Sequence, residues 1–277
     1  MRICASTFAV VAILALPGCT PLSAVTMAGS VFNRIMENSE TQPYISDTGP
    51  VTAVNNNEVA ISNLNLGIQY MQMEKYEMAL EKLQRARDAR PDYAPVYDVL
   101  GLLHQRLGQP KEAEQYFQQA LKLDGNNSST LNNYGQFLCS QDRVDEAEKE
   151  FLAAAQNPLY DAPEIPYTNI GTCAHLHGQP DKAMEYYTRA LSLNSKIPQA
   201  LITLSEIKYD RRDYDPARDY LNRYINITGQ SPRTLWLGIR IERELGDKNK
   251  VSSYAMLLRN KYPDSREAQL LQESGIK

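Results

Sequence analysis

The residues with the most distinctive chemistry in this chain are its four cysteines and three histidines. Cys173, His175 and His177 fall within five residues and could be read as a metal site. A helix works against that reading. His175 and His177 are two apart and point to different sides, whereas metal ligands on a helix favour i,i+4 spacing. His104 stands alone. No glycine-rich phosphate loop, nucleophile elbow or paired His–carboxylate motif is present, and the carboxylates spread over solvated faces. The expectation is therefore no catalytic residue, no metal and no cofactor. Cys139 and Cys173 remain. They suit a disulfide if two helices bring their Cα atoms to roughly 4.4–6.8 Å. The alternative is two small buried thiols, and an oxidising compartment favours the bond.

The compartment is indicated by the first nineteen residues. Arg2 precedes an uncharged, mostly apolar run from Ile3 to Leu16, followed by Pro17, Gly18 and Cys19. This has the shape of a secretory signal peptide, and the run is shorter than the ~20 residues a spanning helix needs. Leu16-Pro17-Gly18-Cys19 resembles a bacterial lipobox, with proline where a small or β-branched residue is usual. The resemblance implies lipidation of Cys19, and Thr20 after it implies sorting to the outer membrane. An ordinary signal cut elsewhere is the other reading. Removal of residues 1–18 also removes Cys4, leaving Cys139 and Cys173 as a pair. Residues 19–57 are rich in Ser, Thr, Asn and Pro and are expected to form a tether from the lipid.

What must position the cysteine pair is a repeat array. Gly67, Gly101, Gly135 and Gly171 recur with Ser205 and Gly238 at spacings of 34, 34, 36, 34 and 33 residues. Ala79, Ala113, Ala147, Ala183 and Ala217 lie twelve residues after the first five. Leu83, Phe117, Phe151, Tyr187, Leu221 and Tyr254 lie sixteen after each. A period of 34 with these offsets is that of the tetratricopeptide repeat, two antiparallel helices A and B per unit. The expected fold is all-α: a right-handed superhelical solenoid of about six such units over residues 58–277, near 60–93, 94–127, 128–163, 164–197, 198–230 and 231–264, with a capping helix after them. The glycine and the alanine are expected where the A and B backbones approach, and the large residue in the gap to the next unit. Pro91, Pro110, Pro180 and Pro216 mark turns and first helical turns. A net charge of −4 with no basic stripe argues against nucleic acid as a partner.

A solenoid of this kind holds other proteins on helix A. In the first unit Ile61, Leu64, Ile68 and Met71 form an apolar stripe at i, i+3, i+7 and i+10, distinct from Leu66, Gly67 and Tyr70, which are expected in the core. Such a stripe binds something or is covered. An apolar segment of a partner and a fold-back of residues 31–57 are both open. Leu102 extends the stripe. Asn132, Gln136, Thr168, Thr172 and His175 continue it as polar groups able to bond a peptide backbone. A lysine-rich carboxylate clamp is absent, since Leu64 and Ile68 occupy its first positions.

The third unit reads Leu131-Asn132-Asn133-Tyr134-Gly135-Gln136-Phe137-Leu138-Cys139 and the fourth Tyr167-Thr168-Asn169-Ile170-Gly171-Thr172-Cys173-Ala174. With the lipobox and six repeats, the chain resembles the type IV pilus biogenesis and stability lipoproteins, the pilotins of the pilus secretin. The resemblance covers nearly all of the mature chain and includes both cysteines. It implies a lipoprotein on the periplasmic face of the outer membrane. Such a protein binds secretin subunits through its early repeats, promotes their insertion and multimerisation, and supports pilus extrusion. Another outer-membrane scaffold, such as a regulator of peptidoglycan synthesis, is the alternative.

Overall fold

The computed structural model describes residues 55–276. The expected signal peptide, Cys19 and nearly all of the tether lie outside the described residues. Thirteen helices and no strands are present among the described residues. In chain order they are α1 (Asn56–Gln72), α2 (Tyr76–Ala89), α3 (Ala94–Arg106), α4 (Pro110–Leu123), α5 (Ser128–Ser140), α6 (Val144–Gln156), α7 (Glu164–Leu176), α8 (Pro180–Leu193), α9 (Pro198–Asp210), α10 (Tyr214–Thr228), α11 (Pro232–Glu244), α12 (Lys248–Lys261) and α13 (Arg266–Glu273). The odd-numbered helices α1 to α11 are the A helices of six units. α13 closes the array against α11 and α12.

Local chemistry sets the helix ends. The side chains of Asn55, Asn127, Ser231, Asp247 and Ser265 accept a backbone N–H of the first turn. Proline opens α4, α8, α9 and α11, where its missing N–H has no helical acceptor to lose. Between A and B one residue per unit enters the left-handed region: Glu74, Gly108, Asp142, Gly178, Arg212 and Gly246. Glycine takes this conformation without a Cβ penalty; Glu74 and Arg212 do not.

Within each unit the glycine faces a large side chain rather than the alanine. A Cβ on Gly135 would lie 2.8 Å from the Phe151 ring, and one on Gly67 2.7 Å from Leu83. The residue sixteen positions on thus fills its own unit first. It also reaches the next: the Phe117 ring centroid is 5.6 Å from that of Phe137 and 5.8 Å from that of Tyr134. The alanines mark close backbone approach. At the one unit with serine in place of glycine, Ser205 Oγ donates to the Ala217 carbonyl at 2.8 Å. Both are fully buried.

Neighbouring units meet through two layers. Each B helix packs on the following A helix, and A helices from α1 to α9 pack successively on one another. The A–A layer carries a buried polar ladder. Asn133 Nδ2 donates to both carboxylate oxygens of Asp98, at 3.2 and 3.0 Å. Asn169 Nδ2 donates to Asn132 Oδ1 at 2.8 Å. This ladder joins α3 to α5 and α5 to α7. It satisfies the Asp98 carboxyl and Asn132 Oδ1, which would be costly to bury alone, and leaves Asn132 Nδ2 buried without a hydrogen-bond partner.

Candidate interaction surface and cysteine clip

Cys139 sits in the last turn of α5 and Cys173 in the last turn of α7. The structure joins them as a disulfide with a Cα–Cα distance of 6.0 Å. Cys173 is buried among Phe137, Phe151, Tyr167 and Ile170, and Cys139 packs at the edge of that cluster. The bond therefore clips the third unit to the fourth across the longer connection between α6 and α7. That connection is tied as well: Asn157 Nδ2 donates to Ser128 Oγ at 2.9 Å and to the Asn126 carbonyl at 3.0 Å.

His177 caps α7, one helical turn after Cys173. Its Nδ1 lies 3.8 Å from Cys173 Sγ and 2.8 Å from the Cys173 carbonyl oxygen. Its Nε2 lies 3.0 Å from Asp142 Oδ1 on the turn after α5. His175 is exposed elsewhere on α7. The local trio of cysteine and two histidines is thus not assembled. Cys139 takes the place of His175, and the Cys139, Cys173 and His177 ligand atoms lie within 4.8 Å of one another.

The expected groove of the first repeats needs correction. Leu64, Ile68 and Met71 are 6%, 1% and 0% exposed, while Leu66, expected in the core, is 40% exposed. Helix A is buried on two sides, toward its own B helix and toward the next A helix. Arg106, just before the α3 C-cap, donates to the Met71 carbonyl across that second contact at 3.4 Å. The stripe is therefore mostly a buried face of α1 and not an open wall. Ile61 alone of the four stands exposed, at 38%. Leu102 is half-buried and packs on the core of the third unit.

The polar continuation divides in the same way. Asn132 is fully buried and accepts from Asn169, so it belongs to the ladder and does not face a ligand. Thr172 is buried, donates to the Thr168 carbonyl and accepts from the Tyr187 hydroxyl at 2.9 Å. Gln136 and Thr168 are half-buried and His175 is exposed. The accessible part of the expected surface is thus Ile61, Leu102, Gln136, Thr168 and His175, supplied by the A helices of the first four units.

Two features escaped sequence reasoning. Asp98, in the middle of α3, is a carboxylic acid enclosed in the A–A layer; burial pushes its pKa up to about 7, and the Asn133 hydrogen bond offsets only part of that rise. Glu114 and Glu148 are repeat-related carboxylates that bridge units. Glu114 accepts from the Tyr134 hydroxyl at 3.0 Å and pairs with Arg143 at 2.6 Å. Glu148 accepts from the Tyr186 hydroxyl at 2.6 Å and pairs with Lys182 at 2.8 Å. Desolvation pushes the Glu148 carboxyl up, and its lysine and tyrosine donors outweigh it, leaving the pKa below the usual range. The 34-residue recurrence of these two glutamates was the available signal. Near the fifth and sixth units, Tyr209, Asp210, Arg212, Tyr214 and Glu244 line a polar cleft of about 400 Å³.

Comparison with known proteins agrees with this architecture. Tetratricopeptide-repeat family models match residues 58–125, 105–162 and 166–197. A type IV pilus assembly protein, PilF of Pseudomonas aeruginosa, is 34% identical over 209 residues, 76% of this chain and 83% of that protein. The solved structure of P. aeruginosa PilF superposes with a TM-score of 0.69 at 32% identity, over 79% of this chain and 99% of that one. PilW, described as a widely conserved type IV pilus biogenesis factor, superposes with a TM-score of 0.67 at 28% identity, over 78% and 99% of the two chains.

Proposed function

We propose, from the premise that the chain belongs to the tetratricopeptide-repeat family of type IV pilus biogenesis proteins, that it is a non-enzymatic pilotin. In this reading it is lipidated at Cys19 and carried to the periplasmic face of the outer membrane. There it binds subunits of the pilus secretin and promotes their localisation and multimerisation. The observation that carries the reading is the extent of the likeness. It covers 79% of this chain and nearly the whole of the solved P. aeruginosa protein.

The proposed grip is the accessible edge of the early A helices, at Ile61, Leu102, Gln136 and Thr168, with Leu64, Ile68 and Met71 as its foundation. A detergent-solubilised pull-down tests the partner. The secretin should co-purify with the wild-type chain, and Ile61→Glu should weaken its capture while far-UV circular dichroism stays unchanged. Recovery of cell-wall synthesis enzymes without secretin would select the peptidoglycan scaffold instead. A mature N-terminal mass lacking acyl chains on Cys19 would remove the lipid anchor from the reading.

A further inference from the structure

The disulfide clip has a feature that a purely structural bond does not require: an imidazole set against its sulfur and held by a carboxylate. We propose that, when the Cys139–Cys173 bond is open, Cys139, Cys173 and His177 bind one thiophilic divalent cation of the zinc type. The bond and the metal are then alternative closures of the same joint between the third and fourth units.

The three ligand atoms lie within 4.8 Å of one another. A tetrahedral site with Zn–S near 2.3 Å and Zn–N near 2.1 Å places neighbouring ligand atoms about 3.6–3.8 Å apart. The observed separation of Cys173 Sγ from His177 Nδ1 is 3.8 Å. Cys173 and His177 are also i,i+4 on one helix, a spacing that sets two ligands on the same face. Cys139 approaches from α5, and the packing of α5 on α7 holds its backbone in reach.

The ring is also oriented for the task. His177 Nε2 is 3.0 Å from Asp142 Oδ1. A carboxylate accepting the Nε2 proton leaves Nδ1, the atom that faces the sulfur, for the metal once the ring gives up its contact with the Cys173 carbonyl oxygen, an acceptor that in the closed form calls for a proton on Nδ1. This is the arrangement by which carboxylates orient metal-bound histidines. Asp142 occupies the left-handed turn position of its unit, with φ 60°. That turn brings its carboxylate to the ring from across the unit boundary. In the closed form Nδ1 lies 2.8 Å from the Cys173 carbonyl oxygen, which also accepts the His177 backbone N–H, so loading requires the ring to turn from that oxygen toward the sulfurs.

Opening and loading the joint balance in atoms and electrons. A dithiol reductant delivers two electrons and two protons, cleaves the S–S bond to two thiols and leaves as its own disulfide. The cation then displaces the two thiol protons and binds two thiolates and one neutral imidazole, with water as fourth ligand. Two soft sulfurs and an imidazole favour zinc over calcium or magnesium. Before the cysteines pair, the same site would be available in a freshly folded chain, needing no reductant.

The test uses the full chain, reduced and freed of reductant without oxygen, titrated with cobalt(II) and then zinc. The reduced chain should take one cobalt(II) per molecule with a thiolate-to-metal charge-transfer band, lost when zinc is added, and the oxidised chain should show no such band. His177→Ala should weaken zinc binding at least tenfold, and Asp142→Asn about tenfold. Helicity of each sample is followed by circular dichroism. A reduced, helical chain without the band would overturn the site, as would equal zinc affinity in the wild type and His177→Ala. A reduced chain that has lost its helices would overturn it too, because the site needs α5 and α7 packed without the bond.

Discussion

Asp98 should tie the stability of the folded chain to pH. Its side chain is enclosed between α3 and α5, 5% exposed, with Asn133 donating to both oxygens. Burial moves its pKa from the ordinary 3.8 to about 7 in the folded chain. Between these values the folded state holds a proton that the unfolded state has released. Stability from this group is therefore complete below pH 3.8 and is lost as pH rises through about 7. A tenfold difference in proton affinity between the two states is worth ~1.4 kcal/mol, so the full rise corresponds to about 4 kcal/mol between the two limits. Asp98→Asn keeps an acceptor oxygen for Asn133 and removes the titration. Urea unfolding of both proteins at half-unit pH steps from 4.5 to 8 should show the variant gaining on the wild type. The gain should have a slope near ~1.4 kcal/mol per pH unit and level off above about pH 7. A difference between the two proteins that stays constant over that range would refute the argument that burial governs this carboxyl.

Other perturbations act on single elements. Gly135→Ala sets a Cβ 2.8 Å from the Phe151 ring, so it should cost about 1–3 kcal/mol in chemical unfolding; combining it with Phe151→Leu should recover part of that loss. Opening Cys139–Cys173, separated by 34 residues, should cost roughly 4 kcal/mol by loop-closure entropy, read from denaturation with and without reductant. Arg212→Gly relieves a left-handed residue at φ 63° and should raise stability by about 1 kcal/mol. Leu64→Glu buries a charge on the covered face of α1 and should unfold the first units, visible as lost helicity, in contrast with Ile61→Glu.

The repeat array was legible because it rests on steric pairs at fixed spacing. Gly67 with Leu83 and Gly101 with Phe117 recur one unit apart, and each large side chain occupies the space its glycine leaves open. The accessible surface was less legible. A helical period shows that Leu64, Ile68 and Met71 share a face, but not whether that face meets solvent or the next A helix. Leu66 was placed in the core by repeat position and stands exposed instead. The polar ladder was hidden for a related reason. Asp98, Asn132, Asn133 and Asn169 look like surface residues until their partners, 35 and 37 positions away, are brought opposite them. The histidine pairing shows the same effect. Cys173 and His177 carry the i,i+4 spacing in the sequence, but Cys139 and Asp142 join them only through the contact of α5 with α7.

If the chain acts in pilus biogenesis by holding secretin subunits through its early repeats, secretin assembly in the cell must depend on it. The most direct measurement is the amount of multimeric secretin in outer membranes from cells lacking the chain, complemented with wild type or with Ile61→Glu. Multimers and surface pili should be lost without the chain, return with wild type, and return weakly with an equally abundant Ile61→Glu protein. Multimers at wild-type levels in cells that lack the chain would contradict the proposed role.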